Sequence, residues 1–277
     1  MSHYTELCLS GGGTGGFNLL GAIEYLSTQI DLNQIDTFIG TSSGSMICYF
    51  LALGMKPSEI QAEITASKIL ERMKCLNIMS CIQGEGATSF LPLQDAMEKI
   101  TVRKTGQLMT LEGLKKRLGK TLRCVTYNMN TRTMEILSPE TNPDLPCITA
   151  LRMSSSLPFI FSPYEYNEGS YLDGGLANNF PIDLAKEKAI GICVRTTTNN
   201  EKNTVFDFLR FSLSLLSIAV DSNTEDRIRR AKAEGKHEII IIPRTSSGVD
   251  FSVSTSAQLD MFSSGFKAAK EQYLTGS

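Results

Sequence analysis

The sequence predicts an α/β fold in three layers, with helices on both faces of a mainly parallel central sheet. Short apolar runs alternate with segments of helical periodicity along the chain, as expected for strand–helix–strand units. Of the 277 residues, 42% are hydrophobic and 20% are charged, which is ordinary for a globular protein and excludes a disordered chain. No internal repeat is found. A chain of 277 residues is long for one domain and short for two, so residues 1–277 are expected to form a single domain.

The first part of the chain alternates strand and helix. Tyr4–Ser10 is a short apolar strand that ends in glycines, and Phe17–Gln29 carries leucine and isoleucine at helical spacing. Thr37–Ile39 is a second strand, and Ser43–Leu53 is a helix that the following glycine ends. Another helix begins at Pro57, because proline suits the first turn of a helix.

The second part continues the alternation after a less regular stretch. Thr121–Asn128 and Thr133–Ser138 alternate in hydrophobicity around a short polar turn and predict a hairpin. The remaining predicted elements are a helix at Cys147–Ser155, a strand at Ser170–Leu172, a helix at Pro181–Lys188, buried strands at Ala189–Arg195 and Glu238–Pro243, a long helix with apolar residues from Phe206 to Val220, and a closing helix at Ser256–Tyr273.

The composition argues against several classes of protein. The net charge is −2, whereas a dedicated nucleic-acid binder is usually basic, so no nucleic-acid partner is expected. No apolar run approaches the roughly 18 residues of a membrane span. The N-terminus does not resemble a signal peptide, so a cytoplasmic protein, at most peripheral at a membrane, is expected. The seven cysteines lack metal-like spacing and are interpreted as small core residues in a reducing compartment.

A basic run stands out between residues 99 and 123. It holds eight basic residues and one acid, Glu112. Such a run fits contact with an anionic membrane surface and fits an ordinary solvated face equally well. Both interpretations are open from the sequence.

The segment LSGGGTGG, Leu9–Gly16, follows the first strand and opens the first helix. Its glycines leave backbone N–H groups unobstructed next to a helix N-terminus, where an anion or an oxyanion binds. Gly11, Gly13 and Gly16 also fit the GxGxxG dinucleotide fingerprint, although no acidic residue ends the second strand. Oxyanion binding, nucleotide binding and a plain tight turn are all open from this loop alone.

The segment FIGTSSGSM contains a GxSxG pattern formed by Gly40, Ser42 and Gly44, between a predicted strand and a predicted helix. This is the context of a nucleophile elbow, in which glycines permit the sharp turn that exposes the serine. The alternative is a serine that only caps the helix. Because this turn and the glycine loop both follow strands of a parallel sheet, both are expected at the edge where ligands bind. The pairing favours a nucleophilic Ser42.

A serine nucleophile needs a proton acceptor beside it. His3 and His237 precede predicted strands and are expected at the opposite edge of the sheet. Ser42, Asp173 and His237 nevertheless occur in the chain order of an α/β-hydrolase triad. Asp173 directly follows a short strand and is expected at the same edge as Ser42. The alternative for Asp173 is a residue that only starts a DGG turn.

Together these motifs resemble those of the patatin-like phospholipases, lipid acyl hydrolases that use a Ser–Asp dyad. The glycine loop SGGGTGG, the serine turn GTSSG and the DGG segment at Asp173–Gly175 match in order. The connecting segments RMSSSLPFIFSP and YLDGGLANNFP are also similar to the family. The resemblance extends from about Tyr4 to a closing helix near Tyr273.

The resemblance implies a patatin-like fold and a set of catalytic residues. Ser42 would be the nucleophile and Asp173 the base, and the backbone N–H groups of Gly11, Gly12 and Gly13 would form the oxyanion hole. No metal or other cofactor is implied. The expected partner is a glycerophospholipid or another acyl lipid whose fatty-acyl ester is hydrolysed.

Two positions depart from the family pattern. The glycine loop of the family commonly begins with an acidic residue, where this chain has Ser10. It commonly carries a basic residue before its last glycine, where this chain has Gly15. The missing cation is expected to affect substrate and rate more than mechanism, because the backbone donors remain.

Two other classes of function are open from the sequence. An acyltransferase would use the same serine and pass the acyl group to an acceptor other than water. A non-catalytic protein would bind a lipid or a nucleotide on the same fold. The apolar residues between Phe206 and Val220 likewise fit core packing or one wall of an acyl pocket.

Overall fold

We describe residues 4–74, 76–197, 208–244 and 249–275 of a computed structural model. The strands in chain order are β1 Glu6–Leu9, β2 Thr37–Thr41, β3 Thr121–Asn128, β4 Thr133–Leu137, β5 Tyr164–Tyr166, β6 Gly169–Asp173, β7 Ala189–Thr196 and β8 Glu238–Arg244. The helices are α1 Gly16–Leu26, α2 Ser43–Ala52, α3 Pro57–Ala66, α4 Ile69–Met73, α5 Ile78–Ile82, α6 Leu91–Thr105, α7 Leu111–Leu118, α8 Cys147–Ser154, α9 Gly175–Asn178, α10 Phe208–Glu234 and α11 Thr255–Thr275.

The strands form one mixed sheet in the order β5–β6–β3–β2–β1–β7–β8, and β4 also pairs with β3. The five strands from β3 to β8 in this order run parallel to one another. β4, β5 and β6 pair antiparallel at the β3 end of the sheet. The predicted mainly parallel sheet is therefore confirmed, and the predicted hairpin is β3–β4.

Helices cover both faces of the sheet because successive strand residues point to opposite sides. Leu7 and Leu9 of β1 belong to the larger core, which α1, α2, α8 and α11 complete. Cys8 between them belongs to a smaller core, to which α10 contributes Ile228 and Ala231. The predicted three-layer arrangement is thus confirmed.

The closing helix α11 lies against α1 at two glycines. A Cβ on Gly21 of α1 would lie 1.8 Å from the Phe262 carbonyl oxygen, and one on Gly265 of α11 would lie 2.0 Å from the Asn18 carbonyl oxygen. Only glycine permits such close approach of two helix backbones. The C-terminal helix is therefore part of the same layer as the helix that follows the glycine loop.

The helix predicted at Pro181–Lys188 is wrong. Only a 3-10 turn forms there, at Ile182–Leu184, and the chain then extends into β7. Beyond this turn, the Glu187 N–H donates to the Glu6 carboxylate of the neighbouring strand β1 at 3.1 Å and does not continue a helix. Tertiary contact therefore overrides the local helical pattern.

The basic run does not form a free cationic surface. Most of its charges are paired with acidic side chains or carbonyl groups: Arg103 with Glu63 at 2.8 Å, Lys115 with Glu140 at 2.9 Å, Lys116 with Glu112 at 2.9 Å, Lys120 with the Ile35 carbonyl at 2.6 Å and Arg123 with Glu6 at 3.7 Å. This pairing favours the solvated face over the membrane contact.

Six cysteines are free and buried, as expected of core residues: Cys8, Cys48, Cys81, Cys124, Cys147 and Cys193. Burial raises the pKa of the Cys147 thiol to about 12, so this thiol is protonated at neutral pH. Cys75 and His3 lie outside the described residues. Within the described ranges, no helix combines the length and the apolar character needed to cross a bilayer.

Candidate active site

The serine turn joins β2 to α2 through a strained backbone conformation. Ser42 has φ 54° and ψ −127°, a region that costs a non-glycine residue about 1–3 kcal/mol. A Cβ on Gly40 would lie 2.6 Å from the Ser45 nitrogen, and one on Gly44 would lie 2.4 Å from the Ser10 carbonyl oxygen. The Ser42 hydroxyl makes no cap hydrogen bond to α2, so the capping alternative does not describe it. The geometry is that of a nucleophile elbow.

Asp173 reaches Ser42 from the opposite direction along the sheet. Thr41 of β2 pairs with Val125 of β3, and Asp173 at the end of β6 pairs with the next residue, Thr126. β4 pairs with both Val125 and Thr126 and so occupies one edge of β3. β2 and β6 must therefore share the other edge, where they meet end to end.

The sequence predicts Asp173 at the same edge as Ser42 because Asp173 follows a strand of a mainly parallel sheet. The two residues do lie at one place, but the strand before Asp173 is not a parallel one. β6 is antiparallel to β3 and does not belong to the parallel set. Its carboxyl end meets the carboxyl end of β2 because β6 pairs only with the last three residues of β3, beyond the point where β2 stops.

The Asp173 carboxyl is almost completely buried, with 3% of the residue exposed. Its Oδ1 atom accepts the Gly175 N–H at 2.8 Å. Its Oδ2 atom makes no hydrogen bond of ordinary geometry within the described residues, but the Ser42 side chain is near enough to lower the pKa of the carboxyl. Desolvation is the larger effect and raises this pKa to about 6. At neutral pH, Asp173 is therefore ionised in most molecules and can accept a proton.

The chain at the end of α8 holds both residues in place. The Ser154 hydroxyl accepts the Ser42 N–H at 3.0 Å, and the Ser154 carbonyl accepts the Gly174 N–H at 3.2 Å. The Ser156 carbonyl accepts the Asp173 N–H at 2.9 Å. The RMSSSLP segment around Ser154 resembles the patatin-like phospholipases, but the sequence does not indicate what Ser154 does. Hydrogen bonds between segments that are distant in the chain leave no periodic pattern.

The glycine loop lies beside Ser42, and two of its N–H groups are available. A Cβ on Gly11 would lie 3.3 Å from the Ser42 Cβ. The Gly12 and Gly13 N–H groups have no hydrogen-bond acceptor among the described residues. Gly11 departs from the expectation, because its N–H donates to the Asn179 carbonyl at 2.9 Å. The expected three donors are therefore reduced to Gly12 and Gly13.

Ser10 attaches the start of the loop to the sheet. Its hydroxyl accepts the Val194 N–H of β7 at 3.0 Å, and its own N–H donates to the Ile192 carbonyl at 3.1 Å. Both partners lie in the strand that pairs with β1. The departure at this position therefore leaves the loop anchored by neutral hydrogen bonds.

Ser42, Asp173 and the glycine loop line one cavity of about 660 Å³, which is within the usual range for small-molecule sites. Apolar side chains form most of the remaining wall, among them Phe50, Ile64, Met97, Phe161, Leu213 and Leu216. The cavity lining includes three residues of α10, namely Leu213, Leu216 and Val220. Of the two interpretations of this apolar stripe, the structure therefore favours a wall of the pocket over core packing alone. Phe206, at the start of that predicted stripe, lies outside the described residues.

His237 is far from this site, as the sequence predicts. Its Nδ1 atom accepts the N–H of Ala189, the first residue of β7, whereas the dyad candidates lie beyond the carboxyl end of β2. A Ser–Asp–His triad therefore does not form with His237. In the part of the chain that is described, no group of three or more His, Cys, Asp and Glu residues is placed to hold a metal ion.

A three-layer α/β fold with this serine elbow, buried carboxylate and glycine loop defines a patatin-like protein. The chain matches the Patatin-like phospholipase family over residues 7–186. It belongs to that family.

Known proteins resemble the chain in sequence and in fold. It is 31% identical over 239 residues to the "Probable lipid hydrolase 463L" of Invertebrate iridescent virus 6, covering 81% of this chain and 80% of that protein. It is 29% identical over 286 residues to the "Uncharacterized protein R571" of Acanthamoeba polyphaga mimivirus, covering 99% and 95% of the two chains. The crystal structure of VipD from Legionella pneumophila shares the fold, with a TM-score of 0.61 at 16% identity over 99% of this chain and 67% of that one.

Proposed function

We propose that this protein is a serine-dependent lipid acyl hydrolase that cleaves fatty-acyl esters of glycerophospholipids through a Ser42–Asp173 dyad. The observation that carries the proposal is the meeting of β2 and β6, which sets a strained serine beside a buried carboxylate in an apolar cleft. Membership of the family supports a lipid ester as substrate. The name of the viral relative supports the same class.

In the first half of the reaction, Ser42 Oγ attacks the ester carbonyl carbon while Asp173 takes the hydroxyl proton. The carbonyl oxygen becomes an oxyanion, and the N–H groups of Gly12 and Gly13 donate to it. One such donor lowers the barrier by roughly 3–4 kcal/mol. When the tetrahedral intermediate collapses, the bond to the alcohol oxygen breaks and Asp173 returns the proton to that oxygen. The products are the lyso-lipid and an acyl ester on Ser42.

In the second half, Asp173 takes a proton from water, and the hydroxide oxygen attacks the acyl carbon. The same two N–H groups hold the second oxyanion. The bond from carbon to Ser42 Oγ then breaks, Asp173 returns the proton to the serine oxygen, and the fatty acid leaves. No base other than Asp173 is required, since the carboxyl is ionised above pH about 6.

The proposal is tested with mixed phospholipid vesicles and identification of the released fatty acids, with Ser42→Ala as the control. Fatty acid released only by the wild-type protein supports hydrolysis. Adding a soluble alcohol to the same reaction tests the acyltransferase alternative, because a transferase forms an alkyl ester in place of free acid. A non-catalytic binder gives neither product and is not labelled at Ser42 by a fluorophosphonate.

The proposal treats residues 1–277 as one domain in a reducing, cytoplasmic compartment. β7 and β8 lie beyond the family match but extend the sheet next to β1, and α11 packs on α1. The unpaired buried cysteines support a reducing compartment.

We further propose that the protein meets the lipid surface through α10 and not through the basic run. Phe211, Leu215 and Ile218 share one face of this helix at i, i+4 and i+7 and are 64%, 52% and 66% exposed. Leu213 and Leu216 of the same helix line the cavity with Ser42. An apolar outer face that continues into the apolar cleft fits a phospholipid surface, because a lipid could then enter the cleft without crossing water.

Replacing Phe211, Leu215 and Ile218 together by glutamine is expected to weaken binding to phosphatidylcholine vesicles at least about tenfold, since three side chains lose apolar burial. Hydrolysis of a water-soluble short-chain ester should change less than about twofold, because these three residues are not among the described residues that line the cavity. Vesicle sedimentation and ester kinetics measure the two effects. The matched control replaces three other exposed apolar residues, Val102, Leu108 and Leu259, by glutamine. Equal loss of vesicle binding in both triple variants would contradict the assignment.

A further inference from the structure

A side chain at Gly15 would meet its neighbours in space, whereas the backbone conformation there would accept it. Its φ and ψ are −61° and −8°, which any residue adopts. A Cβ at this position would lie 2.5 Å from Arg244 Nη1 and 3.1 Å from Val194 Cγ1. The absent side chain therefore leaves the volume that the Arg244 guanidinium occupies.

Arg244 is the last residue of β8 and reaches the glycine loop from the far end of the chain. Its Nη1 donates to the Gly12 carbonyl at 2.6 Å, and its Nη2 donates to Thr196 Oγ1 at 3.1 Å. Asp221 of α10 is near enough to raise the pKa of the guanidinium, against the larger effect of burial, which lowers it. Arginine keeps its charge in proteins. A cation therefore stands beside the loop at the place where Gly15 carries none.

This contact fixes the orientation of one peptide group. The Gly12 carbonyl accepts both Arg244 Nη1 at 2.6 Å and the Gly15 N–H at 2.9 Å. In a trans peptide the carbonyl of one residue and the N–H of the next point in opposite directions. The Gly13 N–H must therefore point away from Arg244, and it is one of the two loop donors left without an acceptor among the described residues. A cation on the carbonyl oxygen also polarises the peptide and strengthens its N–H as a donor.

We propose that Arg244 is a positioning residue of the oxyanion loop: from β8 it supplies the cation that the loop lacks at Gly15, and it holds the Gly12–Gly13 peptide so that the Gly13 N–H can donate to the oxyanion. The inference rests on the proposed function. Arg244 lies outside the 7–186 range that matches the family. It acts through the peptide and touches no reacting atom.

The test compares Gly15→Ala, Arg244→Ala and the double variant with the wild type on a water-soluble ester. Arg244→Ala is expected to lower kcat about 10- to 100-fold, because a misplaced donor loses transition-state contact, and to change KM less than about threefold. Gly15→Ala pushes the guanidinium away and should lower kcat in the wild-type background. In the Arg244→Ala background it should have little further effect, since nothing remains to displace.

Two further variants make the test specific. Gly15→Arg in the Arg244→Ala background returns a cation to the loop and should recover part of kcat, whereas Gly15→Arg alone should not raise it. Added guanidinium ion should partly restore Arg244→Ala and leave the matched control Arg195→Ala unaffected. Arg195 is a suitable control because it lies near the end of β7, as Arg244 lies at the end of β8. It forms an ion pair with Glu225 and not with the loop.

Three results would overturn the inference. One is a lower Tm for Arg244→Ala with unchanged kcat, which indicates a structural role alone. Another is a raised KM with unchanged kcat, which indicates a substrate ligand. The third is equal harm from Gly15→Ala with and without Arg244. Lack of turnover by the wild-type protein would contradict the proposed function instead, and the Tm values of the same four proteins would still test the contact: coupled effects support it and additive effects overturn it.

Discussion

Ser42→Ala is expected to lower kcat for ester hydrolysis at least about 10⁴-fold while the protein stays folded, because the hydroxyl that would form the acyl ester is removed. Turnover of a water-soluble ester and covalent labelling by a fluorophosphonate measure the loss. Ser43→Ala is the matched control, since Ser43 is adjacent, lines the same cavity and follows the elbow. Its kcat should stay within about threefold of the wild type.

The strain at Ser42 adds a second, independent readout. Ser42→Gly relieves the positive φ of 54° and should raise the free energy of unfolding by about 1 kcal/mol while also abolishing turnover. Ser42→Ala keeps the Cβ and therefore the strain. Denaturant unfolding separates the two variants. Substantial turnover by a folded Ser42→Ala protein would exclude Ser42 as the nucleophile.

Asp173→Asn is expected to lower kcat about 10³-fold or more, because an amide cannot take the serine proton. In the wild type, kcat/KM should rise with pH through about 6, the raised pKa of the buried carboxyl. Below that pH the carboxyl is protonated and cannot act as a base. The residual activity of Asp173→Asn should lack this rise. A pH profile of kcat/KM for both proteins measures the difference.

The same substitution is expected to leave the protein at least as stable as the wild type at pH 8. A folded pKa raised from 3.8 to about 6 means that ionisation of Asp173 destabilises the folded state by up to about 3 kcal/mol, at about 1.4 kcal/mol per tenfold change in proton affinity. The stability that the folded state has with Asp173 protonated is fully present below pH 3.8 and is lost as the pH rises through about 6. Asparagine does not ionise, so unfolding at pH 8 should show no deficit.

His237→Ala is the control for the choice between a dyad and a triad. His237 lies at the amino end of β7, where its Nδ1 accepts the Ala189 N–H, and its removal should change kcat less than about threefold. A loss as large as that of Asp173→Asn in a folded protein would replace the dyad by a mechanism that uses histidine.

The serine turn and most of the strands could be predicted from the sequence, because they depend on residues that are close together in the chain. The GTSSG turn required glycines around Ser42 because the turn is too tight for side chains at those positions. Seven of the eight strands in the described part of the chain agree with the prediction within two residues at each end, because their apolar runs are short and bounded by turn residues. The sequence does not predict β5, Tyr164–Tyr166. The sequence predicts a helix in place of the 3-10 turn at Ile182–Leu184, because the Glu6 side chain that binds the Glu187 N–H is distant in the sequence.

The sequence by itself thus determined the three-layer α/β class, the serine elbow, and Ser42 and Asp173 as the expected pair. Only the tertiary structure decided how the pair meets, since the antiparallel direction of β6 and its register on β3 depend on pairing between segments far apart in the chain. It also removed Gly11 as a free donor and brought Arg244 to Gly12 across 232 residues. Hydrogen bonds and packing of this kind carry no local pattern, because they are fixed by where the sheet and its helices place each backbone in space.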